Sequence, residues 1–480
     1  MIENNPTTTQ LLNATKVSGR TKKGTGIGIF NALTGSEFAT IRDTVTGVGR
    51  RIKTAPLTNY SVLVVDQNLK NNSTVTVTNT NVLRDGETYD ANVTGLTTNL
   101  YTRGQAYNFN ANSSVTQLYY NDSTQLGHAF SAGVGKTSGQ WRAGLGYDES
   151  SKTYNRNDLG YQTTNNLRNI SASVSYNIFK PFWRLVRMWT GLSGNYQRFV
   201  RPDAFTYTGF NFTLGGTFRN FMTAGLNLGG TPYKPHDYFE PRVDGRYYEG
   251  DESYYANCFM SSNYGKPFAF DGGLNGTIYS ANDRWVLGFS ASPRIRMNDK
   301  VMLILSNSTT YANNEEGVAV GTNGIPFDGE DPVFSRRNRL TVINTVNANY
   351  TFTNRMGITF RLRHYWSKVE YNAFFALNEQ GGFDPTDYTG YDAEDNSYHN
   401  NSYNAFTIDA AYRWVFAPGS ELSFVWKNSI YSSSDEVALN YFRNLGTMAQ
   451  NPATNSLSLK ILYYFNYWNL HQKIFKRKEK

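Results

Sequence analysis

Hydrophobic and polar residues alternate with a period of two over unusually long segments. From Ala405 to Phe416, Phe406, Ile408, Ala410, Tyr412, Trp414 and Phe416 share one face, and Thr407, Asp409, Ala411 and Arg413 share the other. Leu422, Phe424, Trp426 and Ile430 alternate with Ser423, Lys427 and Ser429, and Trp141, Ala143, Leu145 and Tyr147 with Arg142, Gly144, Gly146 and Asp148. The same pattern runs through 170–178, 285–291 and 356–366, and helical spacing is absent from nearly the whole chain. A half-buried soluble sheet also alternates. Length decides between the two: many runs here exceed the five or six residues usual in soluble strands, and reach the roughly 9–11 needed to cross a bilayer. The polar faces carry Ser, Gly, Thr, Asn and Arg, which suits a wet or plug-filled lumen.

Counting these runs predicts about 21 strands. Their connections sort by length. Thr353-Asn354, Gly265-Lys266, Arg219-Asn220 and Ser138-Gly139 are tight turns at one end, whereas the long connections 34–56, 150–166, 232–251, 313–335, 373–402 and 434–454 all fall at the other. Outer-membrane barrels alternate short periplasmic turns with longer external loops in this way. Composition excludes the competing classes. Aromatics make up 15% of the 480 residues, too many for a disordered chain. The longest unbroken aliphatic stretch, Val301 to Leu305, is far too short for a spanning helix.

The expected fold is therefore all-β: a large antiparallel transmembrane β-barrel over 1–468, about 20–24 strands when complete, followed by a basic periplasmic tail at 469–480. The closing strand carries Leu457, Leu459, Ile461, Tyr463, Phe465 and Tyr467 on one face, with Trp468 at the inner girdle. Met1–Gln10 has no signal-peptide pattern, and the first strand would run inward from outside. The expectation is a barrel truncated at its N-terminus. The lone Cys258 is expected to be buried and inert. The net charge of +8 has its only dense basic run in the terminal tail, with no motif around it, which argues against nucleic acid as a partner.

Three clusters are candidate sites. On the predicted lumen face lie Arg142, Arg294, Arg296, Arg361, Arg363, Arg413, Lys427 and Lys460. Basic side chains in a pore bias it toward anions; alternatively they pair with Asp148, Asp409 or Glu370, or with a plug. His236, Asp237, Glu240, Arg242, Asp244 and Arg246 form the richest mixed-charge loop, read either as an external ligand surface or as a loop locked over the barrel mouth. Asp328, Glu330 and Asp331, near Glu315 and Glu316, are candidate ligands for a structural calcium, with solvated loop charge as the alternative. No other cofactor is expected. The five histidines accompany no Gly-x-Ser-x-Gly elbow and no His-Glu-x-x-His motif, so no catalytic residue is assigned and the chain is not expected to be an enzyme. His364, beside Trp366, is expected to be a girdle residue.

Several local words carry a resemblance. They include Asn13-Ala-Thr-Lys16, Phe30-Asn-Ala-Leu-Thr-Gly35, Pro56-Leu-Thr-Asn-Tyr60, Asp66-Gln-Asn-Leu-Lys-Asn-Asn-Ser73, Asn157-Asp-Leu-Gly-Tyr161, Tyr176-Asn-Ile-Phe-Lys-Pro-Phe-Trp183 and Asp237-Tyr-Phe-Glu-Pro-Arg242. Spread in order over roughly the first half, they resemble the barrel portion of a Bacteroidota outer-membrane family of undefined function. In that family a carbohydrate-binding module of the family-nine type precedes the barrel; the module is absent here. The resemblance implies a location in the bacterial outer membrane, contact with its lipid, and partners among other outer-membrane or periplasmic proteins. Three functions are expected in order: transport or translocation of solutes or glycans, a structural barrel displaying an exported binding module, and a hydrolase whose activity lies upstream.

Overall fold

The computed structural model describes residues 2–321 and 324–464. Among them are twenty-one strands of nine or more residues and one α-helix. The fold is all-β and antiparallel, of the barrel class. Among the described residues no helix is long and apolar enough to cross a membrane. Phe465, Tyr467, Trp468 and the tail 469–480 lie outside the described residues.

The chain divides into two compact units, Met1–Phe179 with Trp189–Phe212, and Lys180–Met188 with Thr213–Lys480. In the first, β1 (Leu11–Arg20), β2 (Thr25–Thr34), β3 (Thr58–Asn68), β4 (Thr74–Arg84), β5 (Asp90–Tyr101), β6 (Tyr107–Tyr119), β7 (Thr124–Lys136), β8 (Trp141–Ser150) and β9 (Leu167–Ile178) each pair antiparallel with the next. β10 (Leu185–Phe199) and β11 (Ala204–Phe218) contribute residues to both units. In the second, β12 (Thr223–Thr231), β13 (Ser253–Ser261), β14 (Phe268–Tyr279), β15 (Trp285–Arg296), β16 (Val301–Val318), β17 (Asp331–Thr353), β18 (Met356–Leu377), β19 (Asn401–Ala417), β20 (Ser420–Ser434) and β21 (Thr454–Leu462) do the same.

Register turns the sequence alternation into rows. In the second unit Phe268, Ile295, Leu303, Ala348, Phe360, Ala410, Trp426 and Leu457 are successive cross-strand partners from β14 to β21, so one face is apolar across the sheet. One residue along, the opposite face reads Ala269, Arg294, Ile304, Asn347, Arg361, Asp409, Lys427 and Ser456. The first unit repeats this. Leu100, Phe109, Val134, Leu145 and Ala172 form an apolar row, and Gly26, Asp66, Thr76, Thr97, Asn112, Ser131, Asp148 and Asn169 a polar one. A one-residue slip would exchange the two faces, so this contrast fixes the pairing.

Three features differ from expectation. β17 and β18 run on into the connections expected at 313–335 and 373–402, because Phe334 and Leu377 near their ends are buried with Tyr248 and Val318, and pack on the partly buried Phe383, in a small core. The connection 434–454 contains a helix, α1 (Tyr441–Met448), whose Asn440 side chain accepts a cap hydrogen bond from the Arg443 amide at 3.0 Å. Cys258 is exposed rather than buried: it lies between Leu226 and Leu274 in an apolar row, and that face looks outward from the sheet instead of into a core.

Candidate functional site

Two places concentrate polar chemistry in the second unit. The first is the polar row, where the structure gathers most of the predicted cations. Asp409 sits between Arg361 and Lys427, with its carboxylate 3.9 Å from Lys427 Nζ. Arg361 and Arg363 are exposed and have no ion pair among the described residues. Arg294 stacks on Tyr264 at 4.5 Å, Arg296 donates to the Tyr264 carbonyl, and Arg413 is bonded to Glu421 at 2.5 Å. Lys460 is an exposed neighbour in the row of Ser423 and Arg413. Arg142 belongs to the first unit, where it lies over Phe179 at 5.6 Å.

The second place is the loop-bearing end, around a carboxylate that the sequence did not single out as a centre. Glu316, at the end of β16, is 3% exposed. It accepts hydrogen bonds from Tyr248 Oη at 2.5 Å, Arg336 Nε at 2.8 Å, Asn282 Nδ2 at 3.1 Å and Arg284 Nη1 at 3.4 Å. Tyr248 in turn packs on Phe334 and Phe383. The loop 232–251 is thus pinned from beneath by a charged network and from the side by aromatic packing. Burial, with the Glu316 charge second, holds the Tyr248 hydroxyl far above the usual phenol range.

The predicted external loop takes part in this fastening. Asp237 accepts from the amides of Phe239 and Glu240, at 2.7 and 3.0 Å, closing a turn. Glu240 reaches the Val318 amide at 2.9 Å, and Arg246 bonds Asp331 at 2.8 Å and also the Leu377 carbonyl. His236 stacks on Tyr247 and lies 3.5 Å from Glu249. Arg242 and Asp244 are exposed at the loop tip. Since Arg246 occupies Asp331, and Asp328 and Asp331 merely face each other across a hairpin, the structure does not assemble Asp328, Glu330 and Asp331 as a calcium-ligand set. Among the described residues no group of three or more His, Cys, Asp or Glu side chains is placed to hold a metal.

Asp251 adds a pH dependence to this cap. Its carboxyl is raised above the ordinary range by burial and then by the nearby Glu316 charge; Oδ2 has no hydrogen-bond partner among the described residues and lies 3.9 Å from Arg284. A raised acid stabilises the docked state below the ordinary carboxylate range, and that contribution is lost as pH rises through the raised value. The cap is therefore expected to tighten on mild acidification. Asp251→Asn should hold it tight at neutral pH and flatten its pH profile, read as protease resistance of 232–251 at pH 5 and pH 8.

His364 is not at a girdle. It lies buried beneath α1, with Nδ1 2.9 Å from Tyr441 Oη and Nε2 3.2 Å from Asn404 Oδ1. Asn404 and Asn444 exchange hydrogen bonds at 2.9 and 2.7 Å, and Trp366 donates to Ser402 at 3.1 Å. A polar notch in an otherwise apolar face is here covered by a helix that satisfies it.

In the first unit, residues 151–166 fold against the polar wall. Tyr154 is 5% exposed and its hydroxyl lies 2.6 Å from Ser114 Oγ. Asp158 is paired with Arg84 and accepts from Tyr89 Oη at 3.1 Å. Asn166 bonds both the amide and the carbonyl of Arg201. Between this segment and the wall lies a cavity of about 790 Å³, lined by Thr97, Asn112, Ser131, Asp148 and Asn169 on one side and by Arg156, Tyr161 and Gln162 on the other.

Fold and faces together define an antiparallel β-barrel protein whose polar face carries charged rows and a loop-built cavity. The chain belongs to the family described as a domain of unknown function (DUF5916), whose model matches residues 1–474. No curated protein matches. Among solved structures the chain is similar to CdiB from Escherichia coli, at 11% identity with a TM-score of 0.28, over 89% of this chain and 67% of that one. That likeness is too slight to carry function.

Proposed function

We propose that the chain is the membrane-spanning barrel of a bacterial outer-membrane protein, and that solutes cross the membrane along its polar face. The observation that carries this is the contrast between adjacent rows. The apolar rows leave Leu145 62% exposed, Val134 52%, Leu274 53% and Leu287 56%. Soluble monomers rarely expose continuous apolar surface of this extent, whereas hydrocarbon is the solvent in which it is stable. The antiparallel ladder satisfies the backbone inside such a solvent. Polar rows on the other face then line a route for water and solutes. The resemblance of its local words supports reading it as a Bacteroidota barrel of the kind that follows an exported carbohydrate-binding module. The pinned loops over the second unit favour a second reading, a sealed barrel that displays such a module.

Conductance of the purified protein in planar bilayers separates the two readings. Discrete channels are expected; a silent membrane, even after proteolytic removal of 232–251, would favour the sealed barrel. Migration on gels should change on heating, and a monomer soluble without detergent would refute the membrane assignment. Arg361→Glu with Arg363→Glu is expected to move the reversal potential in a salt gradient toward cation selectivity, since both side chains are exposed on the polar face. An unchanged reversal potential would place them off the conduction route.

A further inference from the structure

We infer that the cavity between residues 151–166 and the wall of the first unit binds a neutral, polyhydroxylated solute, a short saccharide; this rests on the passage reading above. The wall is a single cross-strand row, Thr97, Asn112, Ser131, Asp148 and Asn169. Four of those five side chains carry both a donor and an acceptor, as does every sugar hydroxyl. Asn112 donates to Ser131 at 3.2 Å and Asn169 accepts from Asn195 at 3.3 Å, and an apolar ligand would leave the remaining donors and acceptors of the row unpaired.

The fixed charges argue for neutrality. Glu149 is occupied by Arg168 at 2.8 Å and by the Tyr147 hydroxyl at 2.5 Å, and Asp158 by Arg84. Arg156 and Asp148 remain among the lining residues, one charge of each sign and both exposed. An anion drawn to Arg156 meets Asp148, and a cation meets the reverse. A neutral solute can accept from one and donate to the other.

The cavity is also built rather than incidental. Its loop side is anchored by Tyr154 on Ser114, by Asp158 on Arg84 and by Asn165, which donates to the carbonyls of Lys152 and Tyr154 at 2.8 and 3.0 Å. Gln162 Oε1 is buried with no hydrogen-bond partner among the described residues. Tyr161, 81% exposed, offers an aromatic face to the C–H face of a sugar ring. The volume of about 790 Å³ falls within the range of small-molecule sites.

The test is calorimetric titration of the full chain in detergent micelles with maltotriose, cellotriose, xylotriose and chitotriose. Dialanine and glucose 6-phosphate serve as the zwitterionic and anionic probes. Saturable binding of at least one neutral trimer is expected, weakened at least tenfold by Asn112→Leu with Ser131→Val and by Tyr161→Ala. Tyr161 is exposed, so that variant keeps the site testable should the wall variant not fold. No binding by any neutral trimer, binding of dialanine or glucose 6-phosphate in their place, or binding untouched by Tyr161→Ala and by a folded wall variant would each overturn the site. Bilayer recordings keep the two readings apart. Conductance without saccharide binding overturns this site alone, and saccharide binding in a barrel that never conducts overturns the passage reading alone.

Discussion

Glu316→Gln is expected to release the cap of the second unit while leaving the strands intact. The substitution removes the one counter-charge shared by Arg284 and Arg336, at 3.4 and 2.8 Å, and weakens the acceptor for Tyr248. Removing one partner of a buried pair costs about 3–5 kcal/mol, chiefly because the surviving charge is stranded. Here the two arginine side chains retain 13% and 25% exposure, so the lower end, about 3 kcal/mol, applies. Arg336→Gln added to Glu316→Gln should restore part of the loss, since it removes one stranded cation. Trypsin cleavage after Arg242 and Arg246 reads the cap, and the heat-dependent gel shift reads the barrel. The network would not be the fastening if the Gln variant resisted trypsin as the parent does.

The strands were legible because their signal is local: a period of two survives whatever the long-range partners are, and observed strands such as β9 and β15 follow it closely. The ends of β17 and β18 were not, because Phe374-Phe375-Ala376-Leu377 is a continuous apolar run without a period of two, and its strand state rests on pairing with 333–335 and on packing with Tyr248 from a distant loop and Phe383 from the hairpin that follows. Glu315 and Glu316 read as solvated loop acid when taken alone. The available signal was symmetry: an acid pair and the pair Arg336-Arg337 bracket one connection, and register sets Glu316 opposite Arg336 and Glu315 opposite Arg337. Tyr248 arrives from one connection and Asn282 and Arg284 from another, and no spacing rule joins either to Glu316. The cation list was legible as a face, since alternation sorts residues by side, yet Asp409 between Arg361 and Lys427 needed the register. Cys258 is exposed because an apolar side chain implies burial only where the apolar face packs into a core, whereas in a barrel the apolar face is the exposed one.

Gly127→Val should expel residues 151–166 from the wall of the first unit. A Cβ at Gly127 would stand 2.4 Å from Tyr154 Cα and 2.5 Å from the Thr153 carbonyl oxygen, both backbone atoms that no rotamer change can withdraw. Overpacking of this kind costs about 1–3 kcal/mol where the structure can yield, and the segment is the part that can, since β7 is held by ladders on both sides. The anchors at Ser114 and Arg84 resist the displacement but do not relieve the clash, so the strain concentrates between Ser151 and Tyr154. Trypsin should then cut faster after Lys152 and Arg156, and a conducting barrel should pass more current as the segment leaves the polar face. Gly28→Ala supplies the contrast: its added Cβ would meet only Val64, at 3.9 Å, and both readouts should match the parent. If Gly127→Val keeps parental protection after Lys152 and Arg156, the segment does not rest on the wall at this glycine, and the cavity built on that contact goes with it.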